Sequence, residues 1–543
     1  MESPTSKGPS PVAAAISSIS KKYSKKTMTW VGIWGMAVLA LTFMITPAWA
    51  LSAEELLNLM VDEKVLTPDK AEKIKQKARK IDQKKKGEDE AKRAQELEKV
   101  KQEAKAEAKA EAKAEAKAVV KAVSPLGGWK VSWKNGLKVE SPDGKNNIGI
   151  GGRIYADFAS VSSSKRAFAD QVRLDAGTPL TGFGSEFRAV RIFVAGTVYD
   201  IVFFKGEYDF AQDGNGTAGF KDVFIGVKNI PGLGHIRIGH QKEPFSLEEQ
   251  TSSRFITFME RGLPNVFAPS RNTGVMAYNT AFDKRLYWGA GGFQEVDDFG
   301  NNFNNHQDWN VTARLAGTPI YEDKGRHLVH LGFSYSHQSR NNEDFQLRYR
   351  QRPEAHATDA RTVDMFRTQL WTQNIDLINP EIALVWGPFS LQGEYMFAFT
   401  DASRRVFPAQ NLFLTKNNPT FQGAYVYGSV FLTGEHRNYD QSNACFDRIK
   451  PHRNFDMKGG WGAWELAARY SYLSLNDKGV RGGRENNFTA GLNWYLTPNT
   501  RWMFNYIYAD VDDREVTPRP TAYPRDIVRG AAHVAQTRFQ IDF

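Results

Sequence analysis

Apolar and polar side chains alternate in short runs over most of residues 145–543. In the run 152–158, the charged Arg153 and Asp157 have the parity opposite to that of Ile154 and Phe158. Successive side chains of a strand point to opposite faces, so this period predicts β-strands with one polar and one apolar face. Similar runs occur at 201–210, 311–315, 421–431, 464–472, 501–508 and 538–543.

Such alternation fits either a soluble β-sandwich or a membrane β-barrel. Three features favour the barrel. The polar face carries full charges, as a water-filled lumen requires; aromatic residues, 12% of the chain, recur near strand ends; and the last run ends on Phe543. Residues 126–543 accommodate about 16 strands at roughly 25 residues each, a size that encloses an aqueous channel. The predicted fold class is therefore all-β, a transmembrane antiparallel β-barrel of about 16 strands.

The stretch 242–272 interrupts the alternation. Its apolar residues argue against disorder, and a long unpatterned loop in a strand-rich chain is typically functional. We therefore predict that it folds into the barrel and narrows it. It combines the cations Lys242, Arg254, Arg261 and Arg271 with the carboxylates Glu243, Glu248, Glu249 and Glu260. Two interpretations of the cations stay open and are compatible: they are exposed to permeating anions, or they pair with these carboxylates and fix the loop to the wall.

The first 50 residues have the pattern of a signal peptide. Four lysines between positions 21 and 26 precede an apolar run at 28–45, which ends at the small-x-small site Ala48-Trp49-Ala50. Cleavage there would leave a mature chain beginning near Leu51, whereas an uncleaved anchor helix is the alternative. The segment that precedes Met28 is unusually long for the start of a signal peptide, so Met28 is a candidate for the true initiator.

Residues 51–122 are rich in Ala, Lys and Glu and predict a helical periplasmic segment. Ser52 and Glu55 form a capping-box pattern before a cluster of leucines. The later four-residue repeat sets like charges four positions apart, so the helix there depends on alanine's propensity. We expect a semi-rigid spacer, with a solvated linker as the alternative. The leucine cluster is a candidate for coiled-coil self-association or docking.

Charge and composition exclude several other classes of protein. The net charge of +10 arises mainly in residues 1–125, which hold 24 Lys+Arg and 17 Asp+Glu, so the remainder is only +3. No region has the basic excess of a nucleic-acid binder. The single Cys445 excludes a disulfide framework, and the ten histidines are scattered. The glycines at 149–152 lead into a strand and not a helix, so they lack the phosphate-loop mechanism. We expect no enzyme, no cofactor and no metal.

Pieces within 185–210, 221–279 and 461–512 resemble the phosphate-selective porin O/P family, above all SLEEQTSSRFITFMER at 246–261. The resemblance implies a sixteen-stranded barrel in the outer membrane of a Gram-negative bacterium, surrounded by lipid and usually trimeric. It implies a third extracellular loop folded inward and basic residues along the path of small anionic solutes. Phe543 resembles the terminal signal that the outer-membrane assembly machinery binds.

The same resemblance points to individual residues. Arg153 lies in a strand similar to one that supplies a pore arginine, and Arg188 resembles the first of an arginine pair whose second position is Ala189 here. Ser252 and Ser253 resemble serines that help to hold phosphate. Glu249 stands where those members have a lysine, and a carboxylate beside a dianion is unfavourable. The predicted path comprises Arg153, Arg188, Lys242, Ser252, Ser253, Arg254, Arg261 and Arg271, with Glu249 altering selectivity.

Parity adds a constraint on the neighbouring strand, because Arg188 and Arg191 are three residues apart. Residues at odd spacing lie on opposite faces of a regular strand, so we expect only one of them in the lumen unless a bulge intervenes.

Three functions remain open from the sequence. The first is a passive diffusion porin for small hydrophilic solutes, with anions as the first expectation and phosphate as a candidate among them. The second is a porin of broad or different selectivity, and the third is a barrel tethered to the envelope through 51–122.

Overall fold

The computed structural model describes residues 128–133, 135–164, 181–211, 218–302, 308–340, 347–358, 363–364, 370–406, 413–416, 418–515 and 527–543. All of them belong to one compact unit, 117–543. The predicted signal peptide at 1–50 with Met28, and the predicted helical segment at 51–122, lie outside the described residues.

Antiparallel strands dominate the described residues. They are β1 (Lys130–Trp133), β2 (Leu137–Glu140), β3 (Asn147–Ser163), β4 (Thr181–Val198), β5 (Val202–Asp209), β6 (Gly219–Ile230), β7 (Gly234–Lys242), β8 (Arg271–Ala281), β9 (Leu286–Gln294), β10 (Trp309–Glu322), β11 (His327–Ser339), β12 (Arg350–Gln351), β13 (Val363–Asp364), β14 (Leu370–Trp386), β15 (Phe389–Val406), β16 (Phe413–Lys416), β17 (Thr420–Phe431), β18 (Tyr439–Asp440), β19 (Cys445–Phe446), β20 (Ala463–Asp477), β21 (Val480–Thr497), β22 (Thr500–Glu515) and β23 (Ile527–Asp542). The helical elements among them are α1 (Leu247–Gln250) and the 3₁₀ turns η1 (Leu263–Val266) and η2 (Asp323–Gly325). None of the helices in the described ranges is both long and apolar enough to span a membrane.

Nineteen of these strands form one sheet, and β12–β13 and β18–β19 form two small sheets of two strands each. Leaving aside the four-residue strands β1, β2 and β16, sixteen long strands remain in the large sheet. The sheet closes because β23 pairs with β3, with Ala532 opposite Ser163 and Asp542 opposite Arg153. The predicted all-β antiparallel barrel of sixteen strands is confirmed.

The alternation in sequence places the polar face inside. On β3, Arg153, Tyr155 and Asp157 are buried in the lumen, whereas Ile154 and Phe158 are 39% and 44% exposed on the outer wall. Apolar side chains dominate the exposed positions of most other long strands as well. An outer apolar band around a polar interior is the arrangement that a lipid bilayer requires of a barrel.

Strand β17 departs from this pattern, because its aromatic side chains point into the lumen. Phe421, Tyr425, Tyr427 and Phe431 are at most 3% exposed. The four rings lie on one face of the strand, as their shared parity in the sequence predicts, but that face is the inner one, so they do not form an outer girdle. They pack instead against polypeptide inside the barrel, which includes Phe258 of the loop after β7.

Connections of different length mark the two ends of the barrel. Most of the short turns lie at one end, and outer-membrane barrels have short turns on the periplasmic side and longer loops outside. We therefore assign the short-turn end, where β3 begins and β23 ends, to the periplasm. One connection at that end is long, namely residues 432–462 between β17 and β20, and we call it the periplasmic insert. The short turns at the periplasmic end are 199–201, 231–233, 282–285, 323–326, 387–388 and 498–499, and one further short turn, 478–479, lies at the outer end.

Three connections fill much of the lumen. The constriction loop, residues 243–270, enters from the outer end after β7 and lies within the stretch 242–272 singled out in the sequence. Residues 347–358 also enter from that end, and Leu347 and Tyr349 share an apolar cluster with Phe245 and Leu263 of the constriction loop. The periplasmic insert enters from the opposite end, where Phe446 packs in a cluster with Leu247.

Candidate functional site

The constriction loop begins with a single helical turn that is capped by the barrel wall. Ser246 Oγ accepts a hydrogen bond from the Glu249 N–H at 3.1 Å. The Glu394 carboxylate on β15 accepts the N–H groups of Leu247 at 3.0 Å and Glu248 at 2.7 Å. A carboxylate that accepts the unpaired N–H groups at the start of a helix is favourably placed, so this contact fixes the start of the loop to the wall.

Apolar packing and backbone contacts fix the rest of the loop. The Phe258 ring packs edge-to-face on Tyr427 with a centroid distance of 5.4 Å. The Met259 N–H donates to Asn505 Oδ1 at 2.9 Å, and the Leu263 N–H donates to Ser471 Oγ at 2.8 Å. These contacts reach β17, β22 and β20, so the loop is held across one side of the lumen.

Glu249 is the shared counterion of two cations. Its carboxylate lies 3.0 Å from Lys242 Nζ and 3.2 Å from Arg261 Nε, and its side chain is only 4% exposed. Burial opposes ionisation of Glu249, but Arg261 and Lys242 outweigh it and lower the pKa of the carboxyl to about 2. Glu249 is therefore not a free carboxylate in the structure, and its predicted effect on selectivity stays a prediction. Its charge is neutralised within the loop.

Glu260 joins the loop to two wall strands. Its carboxylate accepts hydrogen bonds from Arg188 Nε at 2.9 Å and Nη2 at 3.1 Å, and from Arg538 Nη2 at 2.7 Å. Burial opposes ionisation, but Arg188 and Arg538 hold the pKa of Glu260 well below its ordinary range. The paired interpretation thus describes Glu249, which pairs with Lys242 and Arg261, whereas Glu260 pairs with the wall cations Arg188 and Arg538.

A β-bulge brings Arg188 and Arg191 to the same side of β4. Tyr155 of β3 lies opposite Ala189, but the next residue, Ala156, lies opposite Phe187, so Arg188 is an extra residue without a partner in the register. Both arginines border the cavity described below. The exception that the sequence analysis allowed for therefore applies, because the bulge shifts the alternation by one residue and brings both arginines to the lumen.

Arg153 connects the wall to the serines of the loop. Its guanidinium donates to Glu207 Oε1 at 2.7 Å and to Ser253 Oγ at 3.1 Å. The predicted luminal position of Arg153 agrees with the structure. On the neighbouring strands, Asp222 pairs with Lys205 at 2.5 Å and with Arg271 at 2.7 Å. The cations of β3, β5 and β8 are therefore linked through shared carboxylates.

A cavity of about 290 Å³ lies between the constriction loop, the wall from β23 through β8, and the periplasmic insert. All eight residues predicted for the path line it, namely Arg153, Arg188, Lys242, Ser252, Ser253, Arg254, Arg261 and Arg271. Four further cations line it that the sequence did not single out as path residues: Arg191, Lys205, Arg237 and Arg538. Its carboxylates are Asp222, Glu260, Asp440 and Asp447. Ten cations, six from the predicted path and these four, against four carboxylates create a positive potential that attracts anions.

Arg254 has the weakest ionic compensation among the cations of the loop. Its ion pair with Asp542 measures 3.9 Å, compared with 3.2 Å from Arg261 to Glu249. Its guanidinium lies 5.3 Å from the centroid of the Phe255 ring, which also stacks near Arg448 at 5.1 Å. Arg254 therefore offers the cavity a positive charge that Asp542 compensates only at the longer distance of 3.9 Å.

The periplasmic insert was not predicted as part of the site. Its residues Asp440, Asn443, Phe446 and Asp447 line the cavity. The signal that identifies the constriction loop is also present here, because 432–450 lacks alternation and mixes aromatic with charged residues. The wall cations Lys205 and Arg538 carry no such signal, since their positions follow only from which strands become neighbours.

Comparison with known proteins agrees with this architecture. The family model for phosphate-selective porin O and P matches residues 160–543. Porin O of Pseudomonas aeruginosa is 24% identical over 415 residues, which cover 70% of this chain and 87% of that protein. An uncharacterized protein of Caulobacter vibrioides is 28% identical over 421 residues, covering 76% of this chain and 77% of that one.

Among solved structures, the anion-selective porin from Comamonas acidovorans superposes with a TM-score of 0.43 and 12% identity, covering 73% of this chain and all of that one. The family match, by contrast, extends over well more than half of the sequence and includes the constriction loop. The chain therefore belongs to the phosphate-selective porin O and P family.

Proposed function

We propose that this outer-membrane porin conducts small hydrophilic anions by passive diffusion through the cation-lined cavity. The observation that carries the proposal is the excess of Arg and Lys over carboxylates in the lining. Pore-lining charges and the width of the constriction set selectivity in channels of this kind. Glu249, the one residue that argued against anions, is neutralised by Lys242 and Arg261.

Phosphate is a candidate solute because the cavity combines cations with hydroxyl donors. Ser252 and Ser253 border it beside Arg153 and Arg254. The family's name refers to phosphate, and oxyanions are bound by charge-assisted hydrogen bonds from such groups. Arg153 already donates to Ser253 Oγ, so the serine can direct its own proton towards an oxyanion.

Reversal potentials in planar bilayers with a KCl gradient test the anion selectivity. We expect chloride to permeate better than potassium. Equal or greater permeability of potassium would overturn the proposal and favour a porin of different selectivity.

Phosphate is tested separately by its block of the chloride current, which we expect to weaken in Ser253→Ala. If phosphate does not block the chloride current of the wild type, phosphate is excluded as a solute and the anion proposal stays intact.

We further propose that the protein is a homotrimer in the lipid of the outer membrane and that Phe543 contributes to its assembly. The Phe543 backbone pairs with Gly152, with N···O distances of 2.7 and 3.0 Å. Phe543→Ala keeps these bonds, so refolding in detergent should be unchanged while the amount in the outer membrane falls. An unchanged amount in the outer membrane would remove the assembly role of Phe543.

Electrophoresis without heating tests the trimer, because an unheated sample that migrates as a monomer would contradict it.

A further inference from the structure

The periplasmic insert is fixed inside the lumen by polar contacts to the wall. The Tyr439 hydroxyl and His330 Nδ1 are 2.6 Å apart, and the Ala444 carbonyl accepts a hydrogen bond from Arg314 Nη2 at 2.8 Å. Arg448 forms an ion pair with Asp542 at the end of β23. The insert therefore holds its cavity-lining residues in defined positions.

Two of these residues are carboxylates that differ from the others in the cavity. Asp222 and Glu260 each pair with two cations of the wall. Within the part of the chain that the structure describes, Asp440 and Asp447 form no ion pair. Asp440 accepts hydrogen bonds from the Ser442 N–H at 2.8 Å and from Asn443 Nδ2 at 2.6 Å, which orient its carboxylate without neutralising it.

We propose that Asp440 and Asp447 determine charge selectivity at the periplasmic mouth of the cavity, an inference that rests on the proposed anion path. Both lie on the insert, so their negative charge is added at the periplasmic end of a lining that is otherwise cationic. An anion leaving the cavity passes from an attractive to a repulsive region. The two carboxylates therefore weaken the retention of anions at this end and favour their release.

The effect depends on the charge of the solute and on salt. Coulomb energy is proportional to charge, so a dianion experiences about twice the repulsion of a monoanion. Asp447 is solvent-exposed, so ions screen its field. The screening length falls from about 10 Å in about 0.1 M salt to about 3 Å in about 1 M salt. The influence of the two residues should thus be strong in dilute salt and small in concentrated salt.

Asp440→Asn/Asp447→Asn tests the inference in planar bilayers. In dilute KCl we expect the chloride-to-potassium permeability ratio to rise about twofold. Sulfate should gain more than chloride, and both gains should disappear in concentrated salt. The single variant Asp447→Asn changes only an exposed side chain and should give part of the effect without disturbing the fold. Asp323→Asn is the matched control, because Asp323 is an exposed carboxylate on a periplasmic turn outside the cavity.

The outcomes separate this inference from the proposed function. If the wild type prefers chloride but neither variant changes the permeability ratio or the relative current of sulfate, the inference falls and the anion path stands. If the wild type does not prefer anions, the proposed function falls and takes the inference with it. If Asp323→Asn changes selectivity as much as the double variant, surface charge in general is responsible, and the specific role of Asp440 and Asp447 is refuted.

Discussion

Glu249 and Arg261 form an ion pair of 3.2 Å inside the constriction loop. Arg261 also donates hydrogen bonds to the backbone carbonyls of Glu248 at 3.0 Å and Thr251 at 3.1 Å. The guanidinium is therefore held by one carboxylate and by the turn that carries it. In this chain, a carboxylate that looked unfavourable for anion transport serves to position two cations, Lys242 and Arg261, at the edge of the cavity.

Removal of the Glu249 charge should loosen the loop. Glu249→Gln leaves Lys242 and Arg261 without their counterion, and breaking a buried ion pair costs about 3–5 kcal/mol. We expect a lower melting temperature and larger current fluctuations in single-channel records. Glu249→Lys should be worse, because it places a third cation in the same site, and it should not create tighter phosphate block.

The exposed Glu322 at the end of β10 supplies the control, since Glu322→Gln removes one carboxylate without touching the loop. A Glu249→Gln protein with unaltered melting temperature and current noise would show that this ion pair does not fix the loop. Tighter phosphate block in Glu249→Lys would restore the view that Glu249 acts directly on the solute.

Arg254 should contribute more to anion preference than to stability. Its nearest carboxylate is 3.9 Å away, so little pairing energy is lost when it is removed. We expect Arg254→Ala to lower the chloride-to-potassium permeability ratio severalfold in dilute salt, while Arg254→Lys keeps most of it because the charge remains. Arg261→Ala should lower both selectivity and melting temperature. Unchanged selectivity in Arg254→Ala would mean that this side chain does not border the path.

Glu248 should make stability depend on pH between about 4.5 and 7. Burial and the neighbouring Glu394 raise its pKa to about 7, although Arg469 acts in the opposite direction. The folded protein thus binds this proton more tightly than the unfolded chain. Ionisation of Glu248 as the pH rises through this window lowers the free energy of unfolding, by on the order of 3 kcal/mol.

Melting temperatures at pH 5 and pH 8 check this sign. The wild type should melt higher at pH 5, and Glu248→Gln should remove most of the difference, because glutamine can still accept the hydrogen bond from Gly262. The paired Glu249 acts in another window, since its lowered pKa means that its contribution is lost only below about pH 4.5 as the pH falls towards 2. A wild type that is more stable at pH 8 would contradict the assignment.

The barrel and its loop were predictable because each has a local signal. Two-residue alternation follows directly from strand geometry, and it identified the luminal parity of Arg153 and Asp157. The constriction loop was identified by the absence of that pattern together with its charges. Arg188 shows where such reasoning ends, because one extra residue in β4 reverses the parity and nothing in a single sequence marks the bulge.

The composition of the cavity depends on contacts that are distant in sequence. Arg538 reaches Glu260 across 278 positions, and Arg254 reaches Asp542 across an even longer separation. Which strands meet is known only once the barrel closes, so the partners of Glu260 and Asp222 could not be predicted from spacing. The partners of Glu249 lie in the same stretch of the chain, and the sequence offered that pairing as one of two interpretations. The role of the periplasmic insert could have been predicted in part from the sequence, because the insert lacks alternation just as the constriction loop does.

Phe446 should control the width of the cavity at its periplasmic side. The ring is 1% exposed, borders the cavity, and lies 3.5 Å from the Arg437 guanidinium measured to the ring centroid. Phe446→Ala removes a buried ring, which costs about 3–5 kcal/mol of stability and opens space beside the path. We expect a lower melting temperature together with a larger single-channel conductance.

Two variants serve as controls for this prediction. Phe446→Leu should recover most of the stability. Phe282→Ala truncates an exposed ring on a periplasmic turn and should change neither the melting temperature nor the conductance. A destabilised Phe446→Ala protein with wild-type conductance would show that the ring supports the insert without narrowing the path.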